Sequence, residues 1–293
     1  MPRARSHLLI DGALTLVAML AWTLSSAGQI VEREFDSGTL GRPWRYNVYL
    51  PSGYEDSQAQ YPVLYLLHGN GQNFASWASG GNIEATADAL IAAHDIPPTV
   101  IVMPDAGTTW YVDRKEPMES AILRDLIPDV EAHYRVRAER SGRLIAGLSM
   151  GGYGSMRFAL KYPELFAAAA LLSPAIYDPD PPQNSSARRV DVFGSPDFDA
   201  QVWRSLGYPA LWDAFLAKRQ PVPMYIVTGD DDEFYIESSA TQFYSLLRKH
   251  NQPAELRIVD GKHDWQVWRN VIGDAMKYLF RYTTQSAPPV AEH

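Results

Sequence analysis

The sequence predicts an α/β protein with a mostly parallel central sheet flanked by helices. Three observations predict it. Short apolar runs alternate with longer helical patterns along the chain. Several runs are apolar at consecutive positions, as strands covered on both faces require. One of them feeds Gly147-Leu148-Ser149-Met150-Gly151-Gly152, a turn that joins a buried strand to a helix.

Taken in order, residues 46–50 read as an early strand closed by Pro51-Ser52-Gly53. Val63-Leu64-Tyr65-Leu66-Leu67 is a fully apolar strand ending in the loop His68-Gly69-Asn70-Gly71. A helix is expected around 83–93, then the strand Val100-Ile101-Val102-Met103, stopped by Pro104. Ile122, Leu123, Leu126, Ile127, Val130 and Tyr134 share a helical face, which Pro128 should kink or restart. Leu144-Ile145-Ala146 is a buried strand, and the pattern over 153–162 is helical up to Pro163. Strands follow at 166–172, 224–227 and 256–259, with Pro223 tolerated at a strand's start. An amphipathic helix over 265–280 closes the pattern. Residues 177–221, rich in Pro, Asp, Ser and aromatics, read as an insertion over the sheet's C-terminal edge. They either wall a substrate pocket or form a surface excursion. With no repeat and no linker, residues 28–293 read as one domain, with a disordered tail from about 283.

A chain of 293 residues can bury a large core without disulfides or metals. Its formal charge of −8 argues against a nucleic-acid binder, which carries a basic excess, and gives no attraction to anionic membranes. Cysteine is absent, which removes disulfides, thiol nucleophiles and Cys-ligated zinc together. Residues 1–27 read as a signal peptide: Arg3 and Arg5, an apolar run interrupted only near Asp11, then the small residues Ser25-Ser26-Ala27. A membrane anchor and a plain N-terminal helix are the competing readings. The run is short for a span, which takes roughly 18 apolar residues or more. The mature protein is therefore expected to be secreted or periplasmic, with no stable membrane insertion after cleavage.

The turn at Ser149 matches G-x-S-x-G. Alone the motif is weak, and its strand–turn–helix context strengthens it. A serine on so sharp a turn adopts strained dihedrals that expose its hydroxyl above the sheet edge. Gly147 and Gly151 remove side chains where strand and helix pass closely. A hydroxyl needs a base within hydrogen-bond reach. The chain order Ser, acid, His leaves His263, in the loop after the last strand, as the choice. His250 falls inside a helical pattern, and His293 in the tail. For the acid, Asp230, Asp231, Asp232 and Glu233 compete after the strand ending at Val227. Asp232 is preferred and Asp231 is its nearest rival. The others read as a solvated turn or helix caps. Oxyanion stabilisation needs main-chain N–H groups, assigned to Met150, after the serine, and Asn70, beside Gly69. His68 reads as a brace for its loop.

The segments Leu66-Leu67-His68-Gly69, Gly147-Leu148-Ser149-Met150-Gly151-Gly152 and Gly261-Lys262-His263-Asp264-Trp265 resemble the esterase D family of α/β-hydrolases. That group includes feruloyl and acetyl-xylan esterases, S-formylglutathione hydrolases, enterochelin-type esterases and the antigen 85 mycolyltransferases. The likeness runs over about residues 46–280. It implies the α/β-hydrolase fold, with Ser149 as nucleophile, His263 as base and Asp232 as acid, three residues after Gly229. It also implies oxyanion amides at Met150 and Asn70, and an aromatic pair, Trp110-Tyr111, bordering the substrate pocket. Core packing is the competing explanation for that pair. His263-Asp264-Trp265 resembles the carbohydrate-esterase branch more closely than the cytoplasmic S-formylglutathione hydrolases.

The leading expectation is a secreted serine esterase acting on carbohydrate-linked or other small acyl esters, without cofactor. An acyltransferase passing the acyl group to a sugar or other alcohol is the alternative. A catalytically inactive binding module is the alternative of another class. No metal is expected, since the seven histidines lack ligand spacing, and calcium at Asp230-Asp231-Asp232 is disfavoured. Asn184-Ser185-Ser186 fits the N-glycosylation pattern.

Overall fold

The computed structural model describes residues 27–283. The signal peptide expected over 1–27 falls outside the described residues except at its last position, as does the expected tail beyond residue 283. The strands are β1 (Gln29–Ser37), β2 (Arg42–Leu50), β3 (Val63–Leu67), β4 (Val100–Pro104), β5 (Arg143–Leu148), β6 (Ala168–Leu172), β7 (Met224–Gly229) and β8 (Ala254–Val259). They form one sheet in the order β1-β2-β4-β3-β5-β6-β7-β8, antiparallel from β1 to β4 and parallel thereafter. The helices are α1 (Ser76–Ser79), α2 (Ile83–Ala92), α3 (Met118–Ala121), α4 (Ile127–His133), α5 (Met150–Lys161), α6 (Ala200–Leu206), α7 (Tyr208–Ala217), α8 (Ile236–Lys249) and α9 (Trp265–Phe280).

Burial explains the strand sequences. Every residue of β3 to β7 is buried, so these strands carry apolar residues on both faces. One apolar layer packs α5, α7 and α8 on one face, and α2 and α9 complete the other. In α9, Val267, Trp268, Val271, Ile272, Ala275, Met276 and Leu279 recur at helical spacing and are buried. Asp264 caps that helix by accepting the Val267 N–H at 3.1 Å.

Two elements differ from the sequence reading, β1 and the 177–221 segment, while the helix before β5 restarts near Pro128 as expected. The edge strand β1 was not anticipated; it pairs with β2 from Gln29↔Leu50 to Ser37↔Arg42. The helical stretch before β5 is broken into α3, a π-helical turn at Ile122–Leu126, and α4, with Pro128 in the first turn of α4. Proline has no N–H to give to the preceding turn, so the helix restarts there. The 177–221 segment contains α6 and α7, and its aromatic residues are anchors: Phe193 and Trp203 pack edge-on against Trp110.

Beneath the site, α3 is pinned to α5 by buried charge. Glu119 pairs with Arg157 at 2.7 Å, and also with Lys161 and the Tyr162 hydroxyl. Burial pushes the Glu119 carboxyl up, but the Arg157 charge and the hydrogen bonds from Lys161, Tyr162 and Arg157 outweigh it and hold the carboxyl below its ordinary value. A lowered folded value means the contribution to stability is present above the ordinary glutamate range and is lost as pH falls through the folded value. Glu119→Gln leaves a buried guanidinium uncompensated, so urea unfolding at pH 7 is expected to show a loss of about 3–5 kcal/mol. The variant should also lose less stability than the parent on acidification. Equal acid sensitivity in both would contradict this account.

The strand order places the site. From β3 the chain goes to β4 on one side, then crosses to β5 on the other. At such a switch point the loops leaving the carboxyl ends part and open a crevice.

Candidate active site

Ser149 occupies the end of β5, in that crevice. Its φ of 53° and ψ of −115° lie outside the regions an L-residue ordinarily adopts, and Met150 begins α5 directly after it. Hydrogen bonds hold it in that conformation: its N–H donates to Leu172 O at 2.9 Å, while its carbonyl accepts from Tyr153 and Ala175 N–H. The glycines that flank it are demanded by space. A Cβ on Gly147 would stand 2.4 Å from Gly151 O, and one on Gly151 would stand 2.4 Å from Leu67 O and 2.8 Å from His68 O. All these neighbours are backbone. Gly151→Ala is therefore expected to cost about 1–3 kcal/mol in urea unfolding. Its loss of activity should be larger than that implies, because the end of β3 and its loop must move.

His263 enters from the loop after β8. That loop is tied to the end of β7: Asp230 N–H donates to Val259 O, Asp231 N–H to Gly261 O, and Gly261 N–H to Asp230 Oδ1. His263 Nε2 lies 2.9 Å from Ser149 Oγ, and Nδ1 lies 2.7 Å from Asp232 Oδ2. The Asp232 side chain is 0% exposed, and its other oxygen accepts the Phe234 N–H at 3.0 Å. With Nδ1–H donating to the carboxylate, Nε2 is left as an acceptor facing the hydroxyl. A hydroxyl so placed can give its proton to the ring as the oxygen attacks an electrophile. Two aromatic rings, Phe234 at 4.9 Å and Trp268 at 5.1 Å between centroids, stand nearly perpendicular to the imidazole.

The rival carboxylates point elsewhere. Asp230 and Asp231 lie with Asp260 in an exposed group whose oxygens fall within 4.8 Å of one another, and Asp232 is turned inward away from it. The sequence-suggested trio Asp230-Asp231-Asp232 is thus not one cluster.

The loop after β3 lies against Ser149: a Cβ on Gly69 would come within 3.4 Å of Ser149 Cβ. Three side chains brace this loop. The Trp77 indole donates to Leu67 O at 3.0 Å, and the Tyr111 hydroxyl donates to His68 O at 2.9 Å. His68 Nε2 accepts the Ala106 N–H at 2.9 Å, which leaves Nδ1–H to donate to Gly69 O at 2.8 Å. The neutral ring is thereby fixed in one tautomer and is unavailable as a base. Gly69 N–H is taken by Gln72 Oε1 at 2.9 Å. Asn70 N–H has no main-chain acceptor among the described residues, and Met150 N–H, first in its helix, has none one turn back. These two donors can meet negative charge that develops on an oxygen near Ser149.

Trp110 and Tyr111 do not border an open pocket. They are 1% and 0% exposed, with Trp110 packed among Tyr153, Phe193 and Trp203. A substrate has no access to either ring, so core packing accounts for the pair. Tyr111 still serves the site indirectly, through the hydroxyl that holds the His68 carbonyl. The 177–221 segment does wall a cleft. Arg189, Val190, Asp191 and Val192 face Asp105–Thr109 across a cavity of about 530 Å³. Its lining includes the loop after β4, a strand that β3 separates from β5. The residues the sequence reading missed are Phe234, Trp268 and the Ser173 that Trp268 touches. Trp268 reads as one more apolar residue on the buried stripe of α9, and nothing marks Ser173.

A mostly parallel sheet of this order, with a strained serine between β5 and α5 and a histidine loop after β8, defines an α/β-hydrolase fold. The Esterase family model matches residues 37–279, and the chain belongs to that family. It is similar to an endo-1,4-beta-xylanase/feruloyl esterase of Xylanibacter ruminicola, at 34% identity over 180 residues. That match covers 58% of this chain and only 25% of the relative's length. It is also similar to an acetyl esterase of Caldicellulosiruptor saccharolyticus, at 26% identity over 85% of this chain and 97% of that one. Among solved structures, a ferulic acid esterase superposes with a TM-score of 0.74 at 26% identity, covering 88% of this chain and 99% of the other. Among the described residues, no helix is long and apolar enough to cross a membrane.

Proposed function

We propose that the chain is a serine esterase that hydrolyses carboxylic esters through an acyl-enzyme. The observation that carries this is His263, hydrogen-bonded to Asp232 at 2.7 Å and to Ser149 at 2.9 Å. Ser149 Oγ attacks the ester carbonyl carbon while His263 Nε2 takes its proton. The carbonyl oxygen becomes an oxyanion held by the N–H groups of Asn70 and Met150. The intermediate collapses, the C–O bond to the alcohol breaks, and His263 returns the proton to the leaving oxygen. Water then repeats the attack on the acyl-enzyme, releasing the acid and restoring Ser149. Asp232 keeps Nδ1 protonated and stabilises the imidazolium between these transfers.

Carbohydrate-linked or other small acyl esters are the proposed substrates. The support is that relatives are named feruloyl and acetyl esterases. The test is to expose the protein to a fluorophosphonate probe and assay it on acetylated and feruloylated sugars, identifying products with and without an added alcohol. Labelling at Ser149 with free acid as product is the expected result. An unlabelled folded protein removes the esterase reading, and exclusive transfer to the alcohol replaces hydrolysis with acyl transfer. We further propose export from the cytoplasm, supported by the basic, apolar and small-residue order of residues 1–27. N-terminal sequencing of the protein recovered outside the cytoplasm is expected to start near Gly28. A chain retained inside with Met1 in place overturns it.

A further inference from the structure

We infer that Ser173 and Trp268 are positioning residues for His263, holding its imidazole in line with Ser149. The inference rests on the reading of His263 as the base. Ser173 follows β6, is fully buried, and has a φ of 39°. A non-glycine residue held in the left-handed region is strained and persists only where its surroundings impose it. If the turn alone mattered, glycine would make it without that strain. The serine brings a hydroxyl, and its Oγ accepts the indole N–H of Trp268 at 3.1 Å inside the core. The indole so fixed stands at 90° to the His263 ring. Hydrogen bonds at Nδ1 and Nε2 hold the two ends of the imidazole but leave it free to rock about the line joining them. A fixed perpendicular ring limits that motion.

The same short segment touches the other members of the site. Leu172 O accepts the Ser149 N–H at 2.9 Å, and Ala175 N–H donates to Ser149 O at 3.1 Å. Ser173 N–H donates to Val227 O at 2.7 Å, on the strand that leads to Asp232. Residues 172–175 thus set the register of the nucleophile by backbone bonds and that of the base by one side-chain bond. Without the hydroxyl, a buried indole N–H loses its acceptor and the ring is released to turn.

The test compares Ser173→Gly, Trp268→Phe and the double variant on p-nitrophenyl acetate. Ser173→Gly is expected to stay close to the parent's urea midpoint, because the strain relieved at the positive φ offsets the loss of the acceptor for the buried indole N–H. Its kcat should fall about 10- to 100-fold with KM nearly unchanged, the cost of a small misplacement at the reacting atoms. Trp268→Phe should lose a similar factor, and the double variant no more than the larger single loss, because both remove one bond. A second readout needs no turnover: the low-field proton resonance of His263 Nδ1–H should broaden or vanish in Ser173→Gly. A wild-type protein inert on esters would sink the esterase reading and leave this resonance to decide the positioning role. Wild-type kcat with an unaltered resonance in Ser173→Gly, or fully multiplicative losses in the double variant, overturns the inference.

Discussion

Ser149→Ala is expected to lower kcat on short p-nitrophenyl esters by about a millionfold while leaving the urea midpoint close to that of the parent. The fold should tolerate it because the strained turn is held by backbone bonds from Leu172, Tyr153 and Ala175, none of which involves the hydroxyl. Alanine pays the same conformational cost as serine at a φ of 53°. The activity has no such reserve. Without Oγ the proposed acyl-enzyme cannot form, and His263 Nε2 loses the hydroxyl that faces it at 2.9 Å. What remains is binding and the two amides, which alone give a residual rate far below that of the intact set. Full turnover in this variant would show that the chemistry happens elsewhere on the molecule.

Asp232→Asn is expected to reduce kcat by about ten-thousandfold, with Asp231→Asn near the parent. The amide is nearly isosteric, so packing against the Phe234 N–H survives. What changes is the hydrogen-bond logic: an amide N–H facing Nδ1 favours the tautomer with Nε2 protonated, which cannot accept the proton of Ser149. The carboxylate that would stabilise the imidazolium is also gone. Asp231 is exposed and grouped with Asp230 and Asp260, while His263 bonds to Asp232, so removing its charge should have little consequence. Comparable losses in both variants would reassign the effect to the acidic turn as a whole.

The sequence was most informative where burial is complete. The boundaries of β3 and α9 were legible because an uninterrupted apolar run and a long amphipathic stripe each admit one structural solution. The serine turn was legible for a related reason: its glycines mark places where a Cβ has no room. The strand β1 was hidden because it is an edge, and Glu32, Arg33, Glu34 and Asp36 mask its alternation. Among four adjacent carboxylates, composition cannot tell which one turns inward. That direction follows from how the loops after β7 and β8 are tied together, a contact across 31 positions of the chain. Trp110 and Tyr111 misled because aromatic residues near a strand end serve equally as pocket wall and as core. Here the 177–221 segment folds Phe193 and Trp203 over Trp110 and closes it off.

The placement of β7 and β8 carries a consequence for how the molecule comes apart. Ser149, the proposed nucleophile, hangs from a strand deep inside the sheet, whereas His263, the proposed base, follows the outermost parallel strand, which is partly exposed along its whole length. A boundary strand has neighbours on one side only, and such strands detach at lower free-energy cost than central ones. Under mild stress the loop that carries His263 is expected to loosen before the central strands do. Loss of esterase activity is therefore expected to precede loss of the fold as urea is raised, because the proposed base sits beside an edge strand.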